Sequence, residues 1–199
     1  DLIRFLGSPV LCAGRLLAPF DDGAGFGVVA LDADSGAAVW RTRVAFGSLA
    51  SQLPMAPLTV DGTSVYVCNG NGHISALDAC DGSALWTTLY ESIAEPAATN
   101  APDAASEPAV ATPPADGAPA TDRWEENLIV VAGDAVVATP EDSGSILAFD
   151  RRSGAPLWQR RKPEGVDYVV GRRGMALIVA GSKAVACVDL TDGRERWRK

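Results

Sequence analysis

The sequence predicts an all-β chain, and three observations carry that reading. Apolar residues fall in short runs or alternate with polar ones between turns rich in Gly and Asp. No segment carries an amphipathic helical pattern. Above all, one strand–turn–strand unit recurs four times in 199 residues.

The four copies align without a gap: ALDADSGAAVW from Ala30, ALDACDGSALW from Ala76, AFDRRSGAPLW from Ala148 and CVDLTDGRERW from Cys187. In each, a Gly follows the Asp by four residues and a Trp follows it by eight. That position takes Trp40, Trp86, Trp158 and Trp197, four of the five tryptophans in the chain. Scarce residue types do not reach this register by chance.

In chain order, residues 10–17 read as two strands joined at Ala13-Gly14, and Gly23-Ala24-Gly25-Phe26-Gly27 as a flexible hairpin tip. That glycine run lacks the spacing of a dinucleotide loop, and no helix follows it. Val28-Val29-Ala30-Leu31 is a strand, Asp32 to Gly36 a tight turn, and residues 37–44 the strand that carries Trp40. The Asp folds its carboxylate onto the turn's N–H groups, and the Gly supplies a positive φ. The second unit repeats the pattern with 58–60, the turn Asp61-Gly62-Thr63, 65–68, Asn69-Gly70-Asn71-Gly72, 73–77 and the strand of Trp86. Residues 130–137 and 176–183 open the third and fourth units in the same way. Four short antiparallel strands per repeat are the content of one blade of a β-propeller. Blades are expected at about 8–46, 55–92, 124–163 and 166–199. Residues 93–122, rich in Ala, Pro and acidic side chains without an aromatic, are expected to be a disordered insertion between blades.

Charge and composition exclude several partners. With Lys+Arg 17 against Asp+Glu 25 the net charge is −8, which disfavours nucleic acid and an anionic membrane surface. No apolar run approaches the roughly 20 residues that cross a bilayer as a helix, so direct membrane insertion is not expected. The chain begins at Asp1 without Met, which suits a mature chain or a piece of a longer one. Cys12, Cys68, Cys80 and Cys187 are scattered without a CxxC pair and read as four small buried apolar side chains, with two disulfides as the alternative.

The repeat resembles the pyrroloquinoline-quinone (PQQ) enzyme repeat, the tryptophan-docking motif of the quinoprotein-like β-propellers. The resemblance covers nearly the whole chain outside the insertion. It implies that each Trp is wedged between neighbouring blades against a small Ala and a Gly. Mapped here, the docking residues are Ala30, Gly36 and Trp40; Ala76, Gly82 and Trp86; Ala148, Gly154 and Trp158; and Gly193 and Trp197, with Cys187 in place of Ala. The Ser or Thr usual before the Gly is Asp81 and Asp192 in two copies. Asp32, Asp78, Asp150 and Asp189 are the turn carboxylates. The family further implies seven or eight blades, of which four are present, so this is a partial or half propeller, completed by more of its own chain or by another.

Two functions follow from the resemblance. The first is a non-catalytic scaffold that binds a protein partner, in the periplasm or outside a bacterial cell, as in the outer-membrane-assembly lipoprotein that shares the repeat. The second is a fragment of a PQQ-dependent dehydrogenase whose cofactor site, PQQ with Ca²⁺, lies elsewhere. The scaffold is the expected one, with no cofactor, metal or catalytic residue in this chain. The adjacent cysteines common in those dehydrogenases are missing. His73, the only histidine, cannot form a triad or a two-His metal site and reads as a partly exposed strand residue. Asp32-Ala33-Asp34-Ser35-Gly36 starts like a calcium loop but lacks its later ligands. Arg151-Arg152, Arg160-Arg161-Lys162 and Arg172-Arg173 are expected to form a solvated basic rim.

Overall fold

A computed structural model describes residues 3–46, 56–68, 70, 72–92 and 128–199. The stretch 93–122, expected to be an insertion, lies outside the described residues, as do Asn69 and Asn71. All regular structure among the described residues is strand, arranged as four antiparallel sheets.

The first sheet contains β1 (Arg4–Phe5), β2 (Val10–Cys12), β3 (Arg15–Asp21), β4 (Gly25–Asp32) and β5 (Ala38–Phe46). The second holds β6 (Leu58–Asp61), β7 (Ser64–Cys68), β8 (His73–Asp78) and β9 (Ala84–Leu89). The third holds β10 (Leu128–Ala132), β11 (Ala135–Thr139), β12 (Ser145–Asp150) and β13 (Pro156–Arg161). The fourth holds β14 (Tyr168–Arg173), β15 (Ala176–Ala180), β16 (Val185–Asp189) and β17 (Glu195–Arg198). Strands β2–β5 of the first sheet and all four strands of each other sheet run as meanders in sequence order, as short connections between neighbouring strands require. In the first sheet β1 and β2 share one edge of β3: Arg4 and Phe5 pair with Asp21 and Phe20, whereas 10–12 pair with 15–17.

The sheets stack face to face, and three apolar cores are each shared by two of them, while Ala18, Phe20 and Val29 cluster within the first sheet. Leu17, Val28 and Ala30 pack with Val65, Val67 and Leu77. Tyr66, Ile74 and Trp86 meet Ile129, Leu147 and Phe149, and Ile146 and Ala148 meet Leu177, Val179 and Val188. Strand β10 touches both β6 and β14, so the first strands of successive blades meet along one line. No blade could bury its apolar faces alone, which is why they stack. This is the architecture of a β-propeller arc.

Three sequence expectations need correction. Of the four cysteines expected to be buried, Cys68 and Cys187 are, but Cys12 is half-buried and Cys80, in the turn after β8, is exposed. The glycine-rich segment is not a tip throughout, because Gly25 already opens β4 and Phe26 is fully buried. A β-carbon on Gly27 would press on Phe20 and on the backbone of Thr42 and Arg43, so this glycine is needed for close strand approach. The turn itself is short and tied by Asp22, which accepts N–H bonds from Ala24 at 3.1 Å and Gly25 at 3.0 Å. The basic rim is likewise only partly solvated. Arg151 reaches back to the preceding blade, Arg160 forward to the next, and Lys162 is half-buried.

Candidate functional site: the junctions between blades

The repeated Asp–Gly–Trp unit places its residues at one end of each blade. The Gly36, Gly82, Gly154 and Gly193 amides donate to the carbonyls of Asp32, Asp78, Asp150 and Asp189 at 2.8–2.9 Å. All four glycines have φ between 70° and 75°, the left-handed region that L side chains avoid. The Asp carboxylate closes the turn from the other side. Asp32 accepts from the Ser35 amide at 2.8 Å and hydroxyl at 2.6 Å, and Asp150 from those of Ser153 at 2.9 and 2.7 Å. The serine hydroxyls, then these amides, hold both carboxyls below the ordinary aspartate range. Asp78 accepts from the Cys80 amide at 2.6 Å and Asp189 from the Thr191 amide at 2.8 Å. Arg196 also bonds Asp189 and, as the main cause, pulls its pKa down to about 2.

Past the turn a register shift in the β-ladder sets the Trp opposite the first residue of the motif. The pairs are Ala30–Trp40, Ala76–Trp86, Ala148–Trp158 and Cys187–Trp197. The indole then crosses to the following blade. Trp40 Nε1 donates to the Ala79 carbonyl at 3.1 Å, Trp86 Nε1 to Arg151 at 2.9 Å and Trp158 Nε1 to Leu190 at 2.8 Å. A β-carbon on Gly82 would lie 2.5 Å from Trp40; one on Gly154 or Gly193 would lie 2.6 Å from Trp86 or Trp158. Each glycine is therefore bare because a neighbouring indole occupies the place of its side chain.

Two further sets of bonds stiffen each junction. Ala79, Arg151 and Leu190, which receive the indoles, donate their own amides to Thr63, Asp134 and Met175 in the other turn of the same blade. Two residues beyond the Trp, Thr42 Oγ1 donates to Gly82 O at 2.6 Å and Thr88 Oγ1 to Gly154 O at 2.7 Å. In the third blade Arg160 Nε takes that role toward Asp192 O at 2.8 Å. The threonines recur in the sequence at a fixed distance from the Trp, a signal that the motif reading did not use.

The arc leaves two of these surfaces uncovered among the described residues. Trp197 is 46% exposed, whereas Trp86, held between blades, is 8% exposed. Gly36 is exposed with nothing within 4 Å of its β-carbon position, while Gly82, Gly154 and Gly193 are buried. One end thus offers an unseated indole and the other an empty seat of the same kind.

At the opposite end of the blades lies a polar group that the sequence did not disclose. Asp142 spans the second and third blades, accepting from the Tyr90 hydroxyl at 2.7 Å and the Gly72 amide at 2.8 Å. The Tyr90 hydroxyl also lies 3.3 Å from the Cys68 sulfur. Burial pushes the Cys68 thiol up to about 11, raises the Tyr90 phenol and lowers Lys162, whose ammonium donates to Pro140 O at 2.7 Å. Near the line where the first strands meet, a cavity of about 420 Å³ is lined by Thr59, Asp61, Ile129, Gly133, Arg151 and Arg172. Arg151 pairs with Asp61 there at 2.5 Å.

None of these places fits a bound metal. Among the described residues no three His, Cys, Asp or Glu side chains converge where an ion could be held. The four turn carboxylates lie on separate blades and engage their own turns. His73 stands half-buried at the start of β8.

The family comparison agrees with this geometry. The profile described as outer membrane protein assembly factor BamB matches residues 6–118 and 110–199. The chain belongs to the BamB family. That family is of the PQQ-like propeller type, as its repeat implies. Among solved structures, BamB from Moraxella catarrhalis superposes with a TM-score of 0.68 at 20% identity, over 98% of this chain and 50% of that one. The computationally designed Ika8 protein gives 0.58 at 12%, over 96% of this chain and 48% of its own. A europium-containing methanol dehydrogenase gives 0.59 at 13%, over 98% and 43%. Identities this low speak for the fold alone. The chain thus spans half the length of the BamB structure, or less of the other two. No curated relative matches in sequence.

Proposed function

We propose that this chain is a non-catalytic propeller scaffold that holds a protein partner, forming part of a larger assembly at the bacterial cell envelope. The observation that carries the reading is the role of the repeated residues. Trp40, Trp86 and Trp158 are each committed to a carbonyl and a glycine of the next blade, so the motif fastens sheets together and leaves no reacting group. The family description, an assembly factor of the outer membrane, supports a partner-binding role and a periplasmic setting. The exposed indole of Trp197 and the open Gly36 would take further blades of the same repeat, from a longer polypeptide or from a second one.

The alternative is a piece of a PQQ-dependent dehydrogenase, favoured by the methanol dehydrogenase likeness. Fold does not carry function, and one experiment separates the two. The whole natural polypeptide that carries these residues is incubated with PQQ and Ca²⁺ and followed for quinone absorbance and dye-linked alcohol oxidation. The scaffold predicts neither signal; oxidation that depends on PQQ would overturn it.

A further inference from the structure

The four blades differ most at their outer edges, where a sheet ends in unpaired backbone donors and acceptors. Such edges are normally guarded by charged side chains or proline, which deter another strand from pairing. Three here are guarded. Strand β5 carries Arg41 and Arg43, β13 begins at Pro156 and ends in Arg160-Arg161, and β17 reads Glu-Arg-Trp-Arg. Strand β9, Ala-Leu-Trp-Thr-Thr-Leu, has no charged residue and no proline.

The side chains of β9 divide cleanly. Trp86 and Thr88 face the third blade and are pinned by their bonds to Arg151 O and Gly154 O. Leu85, Thr87 and Leu89 lie on the other face, exposed, with Leu85 at 48% and Leu89 at 70%. The corresponding residues are Val39, Arg41 and Arg43 in the first blade and Leu157, Gln159 and Arg161 in the third. Thr87 is steadied by Ser75, their hydroxyl oxygens 3.0 Å apart. The result is an uncharged strand of six residues with apolar side chains at alternate exposed positions and an edge that no strand pairs among the described residues.

We propose that β9 is a docking edge for an extended segment of a partner protein, which joins the second blade as a fifth strand. Main-chain hydrogen bonds would hold it, and alternate apolar side chains would cover Leu85 and Leu89. The occupant is uncharged over about six residues, matching an edge without charge among arginine-bearing ones. A second copy of this chain is the poorer occupant, since each carries a net −8 and like copies repel. The inference rests on the scaffold reading and gives its partner a chemistry.

The test uses the whole chain and an end-capped, fluorescent eight-residue peptide alternating Val and Thr, beside the same peptide N-methylated on alternate residues so that neither backbone edge pairs fully. Fluorescence anisotropy should show binding of the first and loss of the second, with amide exchange within 84–89 slowed by the bound peptide. Leu85→Lys and, independently, Leu89→Lys should weaken binding at least tenfold without moving the urea midpoint; Gln159→Lys on β13 should leave it unchanged. No binding by the wild-type chain, equal binding of the methylated peptide, indifference to both lysines, or protection outside β9 would each overturn the proposal. So would a β9-dependent dimer in sedimentation, which would assign the edge to a second copy. PQQ-dependent oxidation would instead remove the scaffold reading, while the peptide result would still report on the edge by itself.

Discussion

Trp86 lies against Gly154 of the next blade so closely that a β-carbon there would sit 2.6 Å from Cδ2 of the indole. Its Nε1 donates to Arg151 O, three residues before that glycine. The pair makes the junction a shape match as well as a hydrogen bond, and it separates two effects that a glycine substitution usually mixes.

Gly154→Ala should destabilise by about 2–4 kcal/mol, because it adds left-handed strain and forces the indole out of its seat. Gly36→Ala carries the same φ strain but meets open space, so about 1–2 kcal/mol is expected. Urea unfolding of both variants checks this. Equal losses in the 199-residue chain would contradict the open seat, whereas a partner blade that covers Gly36 should bring the two values together.

Truncating the indoles should follow the same asymmetry. Trp86→Ala removes a buried aromatic packed with Tyr66 and Phe149 and should cost about 3–5 kcal/mol. Trp197→Ala, at an exposed site, should cost less than about 1 kcal/mol. Similar melting temperatures for both would refute the assignment of Trp86 as a wedge between blades.

Acid should weaken the fold through Asp22 and Asp189. Both pKa values lie at about 2 against an ordinary 3.8, Asp22 chiefly through its bond from Arg43 and Asp189 through Arg196. A depressed folded pKa contributes stability above the unfolded value and loses it as the pH falls through the folded one. The melting temperature should therefore drop between pH 4 and pH 2. Asp189→Asn should start lower at pH 6 and fall less steeply across that window.

Thiol reactivity should report the burial order. Cys80 is exposed, Cys12 half-buried, and Cys68 and Cys187 buried, all four as free thiols. An aromatic disulfide reagent at pH 8 should label Cys80 first and reach Cys68, its thiol held at about 11, only on unfolding. Labelling of Cys68 in step with Cys80 would contradict the buried contact with Tyr90.

Tyr90→Phe leaves Asp142 with the Gly72 amide but without the phenol. A loss of about 1–3 kcal/mol is expected from removing a hydrogen bond to a half-buried charged group. Chemical unfolding of this variant beside wild type measures it.

The repeat made the blades legible because a turn needs Asp and Gly at fixed places and each junction needs an indole. What stayed hidden depends on contacts between segments far apart in sequence. The glycine run at 23–27 looked like a loose tip, since nothing local says that Phe20 and the β5 backbone crowd Gly27. Arg151, Arg160 and Lys162 looked like a solvated basic run, yet their partners Tyr66, Asp61, Asp192 and Pro140 are 20 to 90 residues away. Thr42 and Thr88 were readable in principle, for they repeat with the Trp, but a hydroxyl aimed at a neighbour's carbonyl has no signature in one strand.

Because Trp40, Trp86 and Trp158 each reach forward into the turn of the succeeding sheet, a module between two others carries one half of two different fastenings. A whole module can then be duplicated, deleted or exchanged in evolution with both fastenings regenerated at the new boundary and no compensating substitution elsewhere. The same polarity forbids insertion in reverse, which would set ring against ring and leave bare glycine facing bare glycine.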